Sequence, residues 1–251
     1  MYDDLSDYYH LIYDDWPASI ARQAEALDRV IGDRTKLVAD VSCGIGTQSL
    51  GLAALGYRVL ASDLAPRALE RLQREAASRG LTIDTRVDDM TRLATLAGAS
   101  VDVLLSCDNS VPHLLTDERI LAAFTQFRRV LRPGGQLILS VRDYAAFPPV
   151  PVRFNPYGVR PIDGGKAIVF QVWEYEGDLY DLSQYLVFDY GDRTDVRVFR
   201  SRYYAVTIAR LMELLEQAGF VDVKRMDDVL FQPVMVAVTA APPAHSASPS
   251  E

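Results

Sequence analysis

The chain has 251 residues, a formal net charge of −8 and 49% apolar residues, enough for one α/β domain with an insertion and a full core. The acidic balance speaks against a nucleic-acid partner, which needs a basic face; Arg128, Arg129 and Arg132 read only as complements to a helix C-terminus. No apolar stretch reaches membrane-spanning length, and the acidic, aromatic opening is unlike a secretory leader. Cys43 and Cys107 lack a Cys-x-x-Cys pattern and read as reduced thiols of a cytoplasmic protein. His10, His113 and His245 show no ligand spacing, so no metal site is expected.

Residues 1–31 read as an aromatic and helical cap. Tyr2, Tyr8, Tyr9, Tyr13 and Trp16 are interleaved with Asp3, Asp4, Asp7, Asp14 and Asp15. Pro17 suits a first helical turn, with a helix over Ala18–Ile31. So many rings and acids suit the enclosure of a cation, which π faces attract; the rings equally suit packing at the helix base. Arg22 is either solvated or a clamp for a carboxylate.

Residues 32–143 read as a cofactor-binding α/β core. Its first strand runs into Asp40-Val-Ser-Cys-Gly-Ile-Gly-Thr47, and a helix over Gln48–Leu55 follows. Gly44 and Gly46 allow a tight turn and close ligand approach, beside the free N–H groups of a helix start. The loop lacks a phosphate cradle, and Ser49 stands where a dinucleotide fingerprint has its third glycine. Asp40 would repel a pyrophosphate and suits a ligand with a cationic end. Tyr57–Asp63 reads as a second strand whose terminal acid is spaced to grip ribose hydroxyls. Leu81–Met90 is a third strand ending in acids, and Val101–Cys107 a fourth, flowing into Asp108-Asn109-Ser110. A helix over Phe124–Leu131, an Arg132-Pro-Gly-Gly135 turn and a fifth strand over Gln136–Val141 complete this part.

Residues 144–206 change character. Tyr144–Pro161 is rich in Pro, Phe, Arg and Tyr without a helical period. Three alternating runs follow, Ala167–Tyr175, Leu179–Tyr190 and Asp195–Tyr204, separated by turn residues as antiparallel hairpins are. This block reads as a β-rich lid, or else as a dimerisation surface. Residues 207–240 return to the core with a helix over Thr207–Ala218, stopped by Gly219, and strands over Val221–Met226 and Phe231–Thr239. Residues 241–251 read as a disordered tail. The expected fold is α/β and Rossmann-like: a mostly parallel seven-stranded sheet, helices on both faces, an inserted antiparallel β lid and an N-terminal helical cap.

Asp40-Val-Ser-Cys-Gly-Ile-Gly resembles motif I, Asp/Glu-x-x-x-Gly-x-Gly, of the class I S-adenosylmethionine-dependent methyltransferases, and the helix-Pro-Gly-Gly-strand order is similar too. The resemblance implies S-adenosylmethionine as cofactor. Its site would comprise Tyr13, Trp16, Arg22, Asp40, Ser42, Gly44, Gly46, Asp63, Leu64, Asp89, Met90, Cys107 and Asp108. Asp89, preceding Met90, would take the adenine amine, and Met90 would pack on the ring.

Asp108-Asn-Ser-Val-Pro-His-Leu-Leu115, Val141-Arg-Asp-Tyr144, the Tyr- and Asp-rich opening and Tyr203-Tyr204 resemble the glycine and sarcosine N-methyltransferases over nearly the whole chain. That likeness implies Arg142 for a substrate carboxylate, Asn109 for a substrate hydrogen bond, and Arg22 for the cofactor carboxylate. Tyr144 would supply an oxygen near the amine, and His113 is a base or a structural histidine. Val141 and Ala145 depart from the family pattern and leave the substrate open. Amino-sugar N-methyltransferases and enzymes methylating an aromatic or indole carbon or oxygen share this core. Outside the class, a nicotinamide oxidoreductase is opposed by the missing third glycine, and a non-catalytic cofactor-binding regulator stays open. The expected partner is a small-molecule substrate, in a monomer or homo-oligomer.

Overall fold

The computed structural model describes residues 2–147 and 150–241; the expected tail lies outside them from residue 242 on. The core strands are β1 (Leu37–Asp40), β2 (Arg58–Asp63), β3 (Asp84–Val87), β4 (Val101–Ser106) and β5 (Leu131–Ser140). After an inserted sheet of β6 (Val152–Ile162), β7 (Gly165–Glu176), β8 (Leu179–Asp189) and β9 (Thr194–Tyr204), the chain adds β10 (Phe220–Met226) and β11 (Val234–Thr239). The core sheet has the order β10-β11-β5-β4-β1-β2-β3, parallel from β5 to β3, with β11 antiparallel to β5 and β10. The order reverses between β1 and β4. Ligands of open α/β sheets bind beyond the strand ends at such a point.

The helices are α1 (Tyr2–Leu5), α2 (Trp16–Ile31), α3 (Thr47–Ala54), α4 (Pro66–Ser78), α5 (Asp117–Val130) and α6 (Ile208–Gln217). In α2 the Asp15 carboxylate accepts from Ala18 N at 2.9 Å, and Gly32 closes the helix at φ +74°. Its inner face packs on α3 so closely that a Cβ on Gly51 would stand 2.6 Å from Ala24 Cβ and 2.7 Å from Ile20 O. In α5, Ile120, Ala123, Phe124, Phe127 and Val130 form one buried stripe. Thr116 caps it, with acids in its first turn and Arg128 and Arg129 in its last. No described helix is long and apolar enough to cross a membrane.

Five features differ from the sequence expectation. The stretch expected to be irregular holds β6, the edge of the sheet β6-β7-β8-β9. Pro156 and Pro161 masked its alternation; an edge strand tolerates their missing N–H groups, and the register shifts between Pro156 and Gly158. Helix α4 was not anticipated, although Ala68, Leu69, Leu72 and Ala76 mark its buried face. The third strand is confined to Asp84–Val87, and α5 starts at Asp117 rather than Phe124. Arg132-Pro-Gly-Gly135 lies inside β5 as a bulge, since Val101 pairs with Leu131 but Val103 with Gln136.

The inserted sheet joins the core through Trp173, Tyr180, Leu182 and Tyr203, which pack with Val141, Val206 and Leu211. Farther along, Ala167, Val169, Leu186, Phe188 and Phe199 cover Leu5 and Leu11 of the N-terminal segment. Each Val, Leu or Phe among these contributes roughly 1.5–3 kcal/mol when fully buried. Arg160 ties the two pieces together, donating to Tyr13 O at 2.6 Å and pairing with Asp14 at 2.7 Å.

Candidate active site

Beyond the ends of β1, β2 and β4 lies a cavity of about 340 Å³. Of the expected cofactor residues, Ser42, Gly44, Asp63, Leu64, Met90 and Asp108 border it. The two glycines play different parts. A Cβ on Gly44 (φ +52°) would point into open space, whereas one on Gly46 (φ +93°) would overlap Leu72 Cδ1 of α4. Gly44 therefore leaves room for a ligand and Gly46 for a helix. Asp63 holds the loop, accepting from Gly44 N at 2.8 Å through one oxygen and from Ala65 N at 2.9 Å through the other. Burial raises its pKa above the usual carboxylate range, against the lowering by these N–H groups.

Several expected residues stand behind this surface. Asp40 is 1% exposed, accepts from Ser49 Oγ at 2.7 Å and does not border the cavity. Burial pushes its pKa up to about 7. Trp16 is buried, its indole N–H donating to Thr47 Oγ1 at 2.9 Å, and Cys107 is buried in the core under the loop. Asp88, not Asp89, borders the cavity. The Asp88 carboxylate accepts from Thr95 N, Thr95 Oγ1 and Ala94 N, while that of Asp89 accepts from Thr91. Tyr9, Thr47 and Gln48 border the cavity without having been singled out for it individually.

The turn after β4 presents the central group. Asp108 (φ +57°) and Asn109 (φ +66°) are both left-handed, held by Asp108 N donating to Ser140 Oγ and Asn109 N to Ser140 O. Among non-glycine residues, Asn and Asp tolerate this conformation best. One Asp108 oxygen, Oδ2, accepts from Tyr13 OH at 2.9 Å and Gln48 Nε2 at 3.1 Å. The other, Oδ1, is buried with no partner among the described residues. Burial raises the Asp108 pKa, while Gln48, Tyr13 and the Arg142 charge oppose that shift. Asn109 is not a cavity residue. Its Oδ1 accepts from Arg142 N and Tyr144 OH, and its Nδ2 lies 2.8 Å from Tyr144 OH, so it braces the strand ends. Tyr144 is spent on that brace and on Tyr180 OH at 2.9 Å.

His113 borders the first cavity with both nitrogens engaged, to Tyr2 OH at 2.8 Å and Ser201 Oγ at 3.2 Å, and its ring lies 3.9 Å from that of Tyr203. Burial and then the Arg142 charge lower its pKa to about 4, so it is neutral at physiological pH and a weak base.

A second cavity, of about 330 Å³, adjoins the first and shares Tyr2, Tyr9 and Asp108 with it. Tyr13, Arg22 and Arg142 line this second cavity rather than the first. The Arg142 guanidinium lies 4.8 Å over the Trp173 ring and 5.8 Å over that of Tyr203, and it donates to Tyr180 OH at 3.2 Å. Among the described residues no carboxylate forms an ion pair with it; Asp143 pairs with Arg225 instead. Gln171, Gln184, Tyr157 and Gln232 complete the polar lining. Gln171 and Gln184 left a signal in the sequence, each being an amide on the apolar side of an alternating strand, between Val169 and Trp173 and between Leu182 and Leu186. The N-terminal acids do not crowd the first cavity. Asp3, Asp4 and Asp7 meet Arg67 of α4, Asp15 caps α2, and Asp14 pairs with Arg160. No group of residues suited to a metal occurs among the described residues.

Residues 38–135 match the family model described as a methyltransferase domain. A ubiquinone biosynthesis O-methyltransferase of Xanthomonas axonopodis pv. citri (strain 306) is 35% identical over 112 residues, 44% of this chain and 45% of that protein. A glycine/sarcosine N-methyltransferase of Parasynechococcus marenigrum (strain WH8102) is 27% identical over 143 residues, 57% of this chain and 50% of that protein. The chain thus spans about half the length of these relatives. The S-adenosylmethionine-bound structure of CalS10, an amino pentose methyltransferase from Micromonospora echinaspora, superposes with a TM-score of 0.76 at 18% identity, over 93% of this chain and 95% of that one. The chain carries a methyltransferase domain over residues 38–135, set in the Rossmann-like fold of the S-adenosylmethionine-dependent methyltransferases.

Proposed function

We propose that the protein transfers a methyl group from S-adenosylmethionine to the nitrogen of a small amine that carries a carboxylate. The first cavity fits the cofactor. Gly44 leaves open space where a Cβ would stand, Asp63 offers a carboxylate for ribose hydroxyls, and Leu64 and Met90 give apolar surface for a base. The cofactor supplies an already activated methyl group; the chain has to position the acceptor and exclude water. In this reading the inserted sheet and the N-terminal segment form the lid over the second cavity. The free, buried thiols Cys43 and Cys107 favour a reducing cytoplasm as the compartment.

The observation that carries the acceptor assignment is Arg142, a guanidinium facing the second cavity with aromatic rings beneath it and no carboxylate partner among the described residues. A planar fork of donors is the group suited to bind a carboxylate. The test is a panel of glycine, sarcosine, other amino acids, amino sugars and indoles, assayed for S-adenosylhomocysteine release with wild type and Arg142→Ala. A carboxylate substrate predicts a loss of about 2–5 kcal/mol in transition-state binding for the variant. Turnover of uncharged aromatics alone, or an unaffected variant, sinks the carboxylate assignment.

An amino sugar is the second reading. The hydroxyl of Tyr157 and the amide of Gln232, whose Oε1 is buried with no partner among the described residues, line a space that suits hydroxyl groups, and a similarly folded protein is described as an amino pentose methyltransferase.

A further inference from the structure

Among the described residues Asp108 is the one carboxylate that borders both cavities, and it does not have both oxygens committed. Asp63 and Asp88 line only the first, with both oxygens of each accepting from backbone N–H groups; Asp14 and Asp15 line only the second and are spent on Arg160 and on the α2 cap. Oδ2 of Asp108 is fixed by Tyr13 and Gln48. That leaves Oδ1 buried and unpartnered among the described residues. A buried oxygen in this state costs stability unless a ligand supplies the donor. The left-handed backbone at Asp108 and its ties to Ser140 keep the carboxylate where the two cavities meet.

Resting on the N-methyltransferase reading, we propose that Asp108 is a catalytic residue, whose Oδ1 receives the proton of the acceptor ammonium and holds the freed amine in line with the transferable methyl. Amines enter near neutral pH as ammonium ions, which have no lone pair to attack with. The ammonium nitrogen gives its proton to Oδ1, and its lone pair then forms the N–CH₃ bond. The S–CH₃ bond breaks with its electron pair left on sulfur, and the positive charge passes from sulfur to nitrogen. The neighbouring base candidate is unsuited, because His113 is neutral, weakly basic and engaged at both nitrogens. The groups facing Asp108 set its proton affinity: Tyr9 and Tyr13 from the N-terminal segment, Gln48 from α3, Asp40 from β1 and Arg142 after β5. Burial keeps that affinity above an ordinary aspartate's, as a proton acceptor for an amine requires.

Asp108→Asn tests this. Asparagine also accepts the left-handed backbone, so the variant is expected to fold. With the best acceptor of the panel at saturating cofactor, kcat should fall by roughly 10²–10⁴-fold, the range for a general base, while S-adenosylhomocysteine affinity by calorimetry stays within about threefold. A second variant, Tyr13→Phe, removes a donor that stabilises the ionised carboxylate, so the acid limb of the kcat/KM profile should move to higher pH. A third readout needs no turnover. Infrared difference spectra of the S-adenosylhomocysteine complex on adding the amine should show a protonated carboxyl band in wild type that Asp108→Asn lacks. The proposal is overturned if kcat is unchanged in Asp108→Asn, or if the whole loss is in cofactor affinity. It is equally overturned if the acid limb ignores Tyr13→Phe or no protonated carboxyl appears. A wild type that binds the amine but releases no S-adenosylhomocysteine would overturn the methyltransferase reading instead, and the infrared result would still decide Asp108.

Discussion

The first cavity takes much of its wall from one short stretch, Val41–Gln48, with the strand-end residues Asp63 and Asp88 beside it and Tyr2, Ser6, Tyr9, His113 and Ser201 closing it, whereas the second collects nearly all its side chains from the N-terminal segment, α2, β7, β8, β9 and the loop at Phe231 and Gln232. The floor of the first is thus set by local backbone geometry at a sheet edge and only its cover by distant pieces, whereas the second exists only once distant pieces have packed. In the proposed reading such a division lets the acceptor site change chemistry while the cofactor site keeps its shape, because few residues belong to both.

The largest expected effect tests whether Asp40 is floor or ligand. Its folded-state pKa is near 7 against the ordinary 3.8, so the folded protein holds the proton more tightly. That contribution to stability is complete below about 3.8 and is lost as pH rises through about 7. Asp40→Asn imitates the protonated form, so its stability relative to wild type should grow between about pH 4 and pH 8, by at most about 4 kcal/mol. Urea unfolding across that range measures it. A pH-independent difference, or a large loss of S-adenosylhomocysteine affinity, would place Asp40 in the cavity rather than under it.

The two glycines sharpen the same contrast. Gly46→Ala forces a Cβ into Leu72 in a left-handed conformation and should cost about 2–4 kcal/mol of stability. Gly44→Ala meets open space and should cost only about 1 kcal/mol of stability, its main loss being in cofactor binding. Equal stability losses with intact cofactor binding in both would break the distinction.

The smallest effect belongs to the acids of the N-terminal segment. Arg67→Ala removes exposed pairs with Asp4 and Asp7 and should cost less than about 1 kcal/mol. Hydrogen exchange should rise in residues 2–9, where α1 leans on α4, and leave Val41–Gln48 unchanged. An effect spreading to the first cavity would show that the two sites are coupled through this segment.

Much of the core was legible because its signals are short-range. The strand run before Asp40, the two glycines, the acid ending β2 and the Pro-Gly-Gly run, which becomes a bulge of β5, each depend on a few neighbouring residues, and they lie in the expected order. The edge strand β6 was not legible. Its prolines imitate a loop, and only pairing with β7 makes a strand of it. Asp88 and Asp89 show the same limit on a smaller scale. Adjacent residues at a strand end point to opposite faces, so a one-residue misreading exchanges cavity for outside.

The sequence by itself therefore determined the fold class, the cofactor loop and the identity of Arg142 as a residue to watch, since turn and strand geometry follow from local residue types. Tertiary structure alone decided which side chains stay free. Asn109 and Tyr144 looked like substrate ligands, but their hydrogen bonds are consumed by Arg142 N and Tyr180; Asp108 looked like one cofactor contact among many, yet it borders both cavities and keeps one buried oxygen without a partner among the described residues. A side chain's capacity to bind is what remains after its packed neighbours have taken their share of its donors and acceptors, and those neighbours come from far along the chain.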